Sequence, residues 1–186
     1  MKRFAGLFLC VLAACRPPAS DDYVQRIELN AGRGPTVEPT SPQVEGAIWA
    51  PGGGSERIVF GKPGSPPYLA LACIGTGSRR AVEITRFART DPRARGMMAL
   101  VGNGHIARLK IDAEWNGRGW LWRGRYRPTD ERLDAFTGTR KLELTIPGAG
   151  TLVLQGSNEP GQLIDLCRRL SAPAIRVQPA AILPPG

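Results

Sequence analysis

One histidine in 186 residues, His105, removes the commonest metal ligand from consideration. A His-based metal cluster cannot form, and with no Cys-X-X-Cys pair a thiolate zinc site is missing as well. No metal or cofactor is expected. The Gly-Ser pairs at 54–55, 64–65, 77–78 and 156–157 lack the flanks of a Gly-X-Ser-X-Gly nucleophile elbow. A nucleophilic cysteine needs a base, and Cys73 with His105 is the single pairing open to this chain. Gly102-Asn103-Gly104-His105-Ile106-Ala107 has the spacing of a dinucleotide fingerprint, but that motif requires a helix to begin there, and the following residues alternate as a strand. Long apolar runs are also lacking. The N-terminal run, residues 4–14, covers 11 residues, whereas a helix crossing the hydrocarbon core needs about 20.

What the chain does have is repeated β-signal. Segments at 45–50, 56–61, 67–74, 80–87, 97–102, 105–115, 120–127, 140–146 and 151–155 alternate or run apolar between Gly, Pro and Asn turns. Asn103-Gly104 and Asn116-Gly117 tolerate the positive φ of tight hairpins, which predicts three consecutive antiparallel strands. In the middle one, Ala107, Leu109, Ile111, Ala113 and Trp115 share a face, and Arg108, Lys110, Asp112 and Glu114 take the other, the period of a sheet with one wet side. The next strand places Trp120, Trp122, Gly124 and Tyr126 inward and Leu121, Arg123, Arg125 and Arg127 outward. A four-residue loop at 116–119 sets Arg123 opposite Asp112; a two-residue loop is the alternative, and a one-residue slip would bury the arginines.

Two short helices are predicted. One covers 129–136, with Thr129 and Asp130 as caps and Leu133 and Phe136 as its apolar contacts. The second follows Ser157 and Asn158, holds Pro160 in its first turn, and repeats Leu163, Ile164, Cys167 and Leu170 at helical spacing. Arg168 and Arg169 suit its C-terminal end. The fold class is therefore mainly β, an antiparallel β-sandwich or flattened barrel with one or two short helices.

Met1-Lys2-Arg3, the apolar run behind it and Leu12-Ala13-Ala14-Cys15 carry a resemblance. The segment resembles the signal and lipobox of bacterial lipoproteins, read as a short h-region and a small-residue cleavage site. The resemblance implies removal of a signal helix at 1–14 and lipidation of Cys15. The protein would then be anchored in the membrane, since each buried methylene contributes about 0.8 kcal/mol and two chains hold stably. The alternative is an ordinary secretory signal in which Cys15 is incidental. Arg16 in place of Asp resembles lipoproteins passed to the outer membrane, which implies its periplasmic face. The remainder resembles small envelope β-proteins of no specific family. The domains expected are a Pro-rich tether at 15–44, carrying a short strand at 23–29, a β-rich domain at 45–171, and an extended tail at 172–186.

An exported location governs how charge and thiols are read. Without Lys2 and Arg3 there remain 23 basic against 16 acidic residues, a net charge of +7, almost all of the cations arginine. Nucleic acid is rarely met outside the cytosol, so no nucleic-acid partner is expected; anionic envelope components or an envelope protein are. With Cys10 lost and Cys15 lipidated, Cys73 and Cys167 remain in an oxidising space and are expected to form a disulfide joining the second helix to the strand of Leu69, Leu71 and Cys73. Two reduced, buried thiols are the alternative.

Three functions stay open. The first is a non-catalytic binding or scaffolding lipoprotein that engages anions through Arg123, Arg125 and Arg127, enlarged by Arg108 and Lys110. The second is a cell-wall or glycan hydrolase using Asp112 and Glu114, whose basic neighbours also fit ordinary surface pairing. The third is a lectin-like module stacking a ligand on Trp49, Trp115, Trp120, Trp122 and Tyr126, residues that equally fit a core.

Overall fold

The computed structural model describes residues 41–172. The leader 1–14, Cys15, the tether up to residue 40 with its segment 23–29, and the tail from 173 lie outside the described residues. Nine strands form: β1 (Ile48–Pro51), β2 (Arg57–Gly61), β3 (Leu69–Ile74), β4 (Ala81–Arg89), β5 (Arg95–Gly102), β6 (His105–Trp115), β7 (Trp120–Tyr126), β8 (Leu142–Ile146) and β9 (Gly150–Leu154). One α-helix follows, α1 (Glu159–Ser171), with 3-10 turns at Gly77–Arg79 and Glu131–Phe136. The strands make a single antiparallel sheet in the order β1-β2-β3-β4-β7-β6-β5-β8-β9, curled into a half-barrel. Among the described residues, no helix is long and apolar enough to cross a membrane.

Alternation decides which face curls inward. Leu69, Leu71 and Cys73 on β3, Val82 and Ile84 on β4, Leu109 and Ile111 on β6, Met98 and Leu100 on β5, and Leu142, Leu144 and Ile146 on β8 are all buried on the inner side. A curled sheet cannot close on itself through side chains alone, so other elements fill its concavity. Leu133 and Phe136 from the 3-10 turn and Leu163, Ile164 and Cys167 from α1 join the same core. Asp130 caps the 3-10 turn, its carboxylate accepting from the Arg132 amide at 3.1 Å. Arg168 holds α1 to that turn, donating to Asp134 at 2.6 Å and to the Pro128 carbonyl at 2.9 Å. The Cys73–Cys167 disulfide, with Cα atoms 5.5 Å apart, fixes α1 to β3.

Of the two Asn-Gly turns read from the sequence, 103–104 closes a two-residue hairpin, whereas 116–117 lies in the four-residue alternative with Gly117 alone of the pair at positive φ. Gly102 pairs with His105 around a two-residue turn in which Asn103 has φ 53° and Gly104 φ 81°. The Asn103 amide also donates to the Ala135 carbonyl and accepts from the Arg140 amide, both at 2.8 Å, so the turn fastens the segment after β7. At the next hairpin Trp115 pairs with Trp120 across the four-residue loop, and Asp112 lies opposite Arg123. The Asn116 carboxamide accepts from the Arg118 and Gly119 amides and shapes that loop.

Four side chains depart from the predicted burial, among them Trp120, which was expected inside and lies half-buried outside the core at the first position of β7. Trp115 was expected inside and is 56% exposed, because β6 continues two residues past Ala113, the last position the core covers. Leu121 was expected outside and is buried, at the point where the β4–β7 ladder shifts register between Arg86 and Arg89. Leu170 is exposed, lying beyond Cys167, the last buried residue of α1.

Replacing Cys73 and Cys167 together by Ser is expected to lower the unfolding free energy by on the order of 4 kcal/mol for so long a closed loop, read by urea denaturation. Asn103→Ala loses two hydrogen bonds and a residue suited to positive φ. A loss of about 2 kcal/mol is expected in the same assay.

Candidate anion-binding face

The outer face of β4, β7 and β6 carries the predicted stripe, but the strand order adds a residue the stripe did not include. Because β4 lies against β7, Glu83 pairs with Arg125 across the ladder. Arg125 donates to Glu83 at 2.9 Å and to both oxygens of Glu114 at 2.7 and 2.8 Å. Arg123 approaches Glu114 at 3.3 Å and Glu83 at 3.7 Å, and donates to the Thr85 hydroxyl at 3.4 Å. Two arginines and two glutamates thus form a ring with no net charge. The Arg125–Glu114 contact is bidentate, the geometry in which a guanidinium fork matches a carboxylate. Arg123 sits opposite Asp112 in register, yet its guanidinium turns to the glutamates on either side.

Electrostatics follow the geometry. Glu114 is held below the ordinary carboxylate range, first by the hydrogen bond from Arg125, against a smaller opposing effect of burial. Arg125 is raised by the same bond. The Tyr126 hydroxyl, which donates to the Lys110 carbonyl, is pushed well up by burial.

The cations that the ring leaves over are Arg108, Lys110 and Arg127, all exposed. Ion pairs among the described residues do not involve any of the three. Beside them, Arg95, Gly96, Met97, Lys110, Asp112 and Pro147 line an open hollow of about 740 Å³. Asp112 lines that hollow with Arg95 and Lys110 and forms no ion pair with either; Glu114 does not line it and belongs to the ring. Of the two carboxylates considered for hydrolysis, Glu114 is engaged by Arg123 and Arg125 and Asp112 opens on the hollow. Among the described residues no group of acidic, Cys or His side chains is placed to hold a metal. Cys73 is committed to the disulfide, which ends its pairing with His105 as a nucleophile and base.

The aromatic set divides. Trp122 and Tyr126 are buried, and Trp49 packs on Phe60 at 5.4 Å. Trp115 and Trp120 lie together outside the core, ring centroids 6.0 Å apart. Two residues escaped the sequence reading. Glu83 could not be assigned to Arg125 without knowing that β4 neighbours β7. Arg86 stood in phase with Val82 and Ile84, the one signal that places it inside; it is 4% exposed and donates to the carbonyls of Tyr68 at 3.0 Å and Ala149 at 3.2 Å. Burial lowers its pKa.

Set against protein-family models, curated proteins and solved structures, the chain matches none.

Since the folded pKa of Glu114 lies below its unfolded one, the ring contributes stability above the ordinary carboxylate value and loses it as pH falls through the folded value. Stability measured from neutral pH down to about 3 should fall less steeply in Glu114→Gln than in the wild type.

Proposed function

We propose that the protein is a lipid-anchored, non-catalytic binding module of the bacterial cell envelope. It presents the outer face of β6 and β7 to a phosphate- or carboxylate-bearing envelope partner. The observation that carries this reading is the set of exposed cations, Arg108, Lys110 and Arg127, beside a ring that has already neutralised Arg123 and Arg125. Strand-borne cations on a rigid sheet lose little freedom when an anion arrives, which favours binding. The disulfide supports an oxidising compartment outside the cytosol. The hydrolase reading draws less support. A general acid needs a raised pKa, whereas Glu114 is lowered and doubly engaged.

Inorganic polyphosphate and polyglutamate serve as phosphate and carboxylate probes. The triple change Arg108→Ser, Lys110→Ser, Arg127→Ser is expected to weaken binding by at least about tenfold, a loss on the order of 1.4 kcal/mol, and added salt should weaken the wild type similarly. Glu83→Gln removes one partner of Arg125 and should strengthen binding. Wild-type affinity in the triple variant would overturn the proposal.

A further inference from the structure

Antiparallel order sends alternate connections to the same end of the sheet. The β4–β5 connection (90–94), the β6–β7 loop (116–119) and the β8–β9 connection (147–149) therefore share one end. The first is bound to the strands that flank the second, the Thr90 amide donating to the Trp120 carbonyl of β7 and the Ala113 amide of β6 to the Ala94 carbonyl. Trp115 stands 56% exposed there with Trp120 against it. Arg89, Arg93 and Arg118 lie in or next to these connections, all exposed, and Asp91 is the single acidic residue in the three. Arg93 holds a left-handed conformation at φ 62°, uncommon for a residue with a Cβ.

The chain preceding the domain arrives at this end too. The Ser41 hydroxyl accepts from the Thr151 amide at the start of β9 at 2.9 Å, and the Gln43 carbonyl accepts from the Tyr68 hydroxyl just before β3 at 3.1 Å. The described chain thus enters the domain at the end that carries the tryptophans and arginines.

We infer that this end is a membrane-facing rim, with Trp115 and Trp120 seated in the interfacial layer of an anionic bilayer and Arg89, Arg93 and Arg118 against its lipid phosphates. Tryptophan has an apolar body and a polar tip, which suits that layer. Arginines placed near an anionic surface add attraction that salt weakens. The same pair could stack on a sugar, but three exposed arginines at the same end and the entry of the chain there at Ser41 and Gln43 favour the lipid surface. The inference rests on the anchored reading for the bilayer that is near; the contacts themselves are the domain's own. With the rim against lipid, the cations of β6 and β7 remain on the side of the sheet, free for the partner proposed above.

The test uses the full chain carrying Cys15→Ser, so that no acyl chain contributes, with vesicles one-third phosphatidylglycerol in phosphatidylcholine. All variants share the same leader, and differences between them report the rim. Brominated lipid is expected to quench the tryptophan emission of this protein, and Trp115→Phe is expected to remove most of that quenching. Arg93→Ser with Arg118→Ser, two exposed changes that leave the core intact, should weaken vesicle binding by on the order of tenfold and reduce its dependence on phosphatidylglycerol; binding unchanged in this variant would overturn the inference. Absence of quenching, quenching unchanged by Trp115→Phe, or a soluble glycan shifting the emission where lipid does not would each overturn the inference. Anchoring is scored separately, by membrane sedimentation of wild type against Cys15→Ser in cells.

Discussion

The structure depends on the covering of one concave face. A nine-stranded sheet of short strands can bury its inner side only if something fills the curl. Here α1 and the 3-10 turn at Glu131–Phe136 do so, contributing Leu163, Ile164, Leu133 and Phe136. The Cys73–Cys167 bond keeps α1 from leaving, and Arg168 ties α1 to the 3-10 turn through Asp134. Both fasteners act between segments far apart in sequence, so the chain-entropy cost of bringing them together is met partly by a covalent link.

The inner face also contains one charge. Arg86 donates to the Ala149 and Tyr68 carbonyls, joining β4 to the β8–β9 connection and to the approach to β3. A buried guanidinium bound to carbonyls, with no carboxylate among its described partners, is costly to desolvate. Its two hydrogen bonds sit near where Ser41 and Gln43 attach the preceding chain. That concentration of polar fastening makes this end of the sheet the firm base from which Trp115 and Trp120 project.

On the outer face, charge is sorted by pairing. Glu83 and Glu114 engage Arg123 and Arg125, which ties β4, β7 and β6 side by side and leaves these arginines fewer open donors. Arg108, Lys110 and Arg127 retain their fields because no carboxylate of the described residues reaches them. Basicity read from composition thus resolves into a structural part and a part available for recognition, and the proposed binding face belongs to the second.

Strand positions, both hairpins, the second helix and the cysteine pair were legible in the residues, because alternation, Asn-Gly turns and an even thiol count are local or compositional properties; the choice between a two- and a four-residue loop after Trp115 was left open and the structure takes the longer. So was the mainly β fold class. Three things required the tertiary structure. Which strands become neighbours is not local, so the ring through Glu83 could not be read from the Arg123-Arg125-Arg127 stripe. How far the core extends along a strand depends on what packs beneath it, and β6 outruns its cover, which turned Trp115 outward. The direction of the curl and the end at which the chain joins the sheet depend on long-range pairing, and they decide that Trp115, Trp120, the arginines of the neighbouring connections and the entry of the chain at Ser41 and Gln43 share one end.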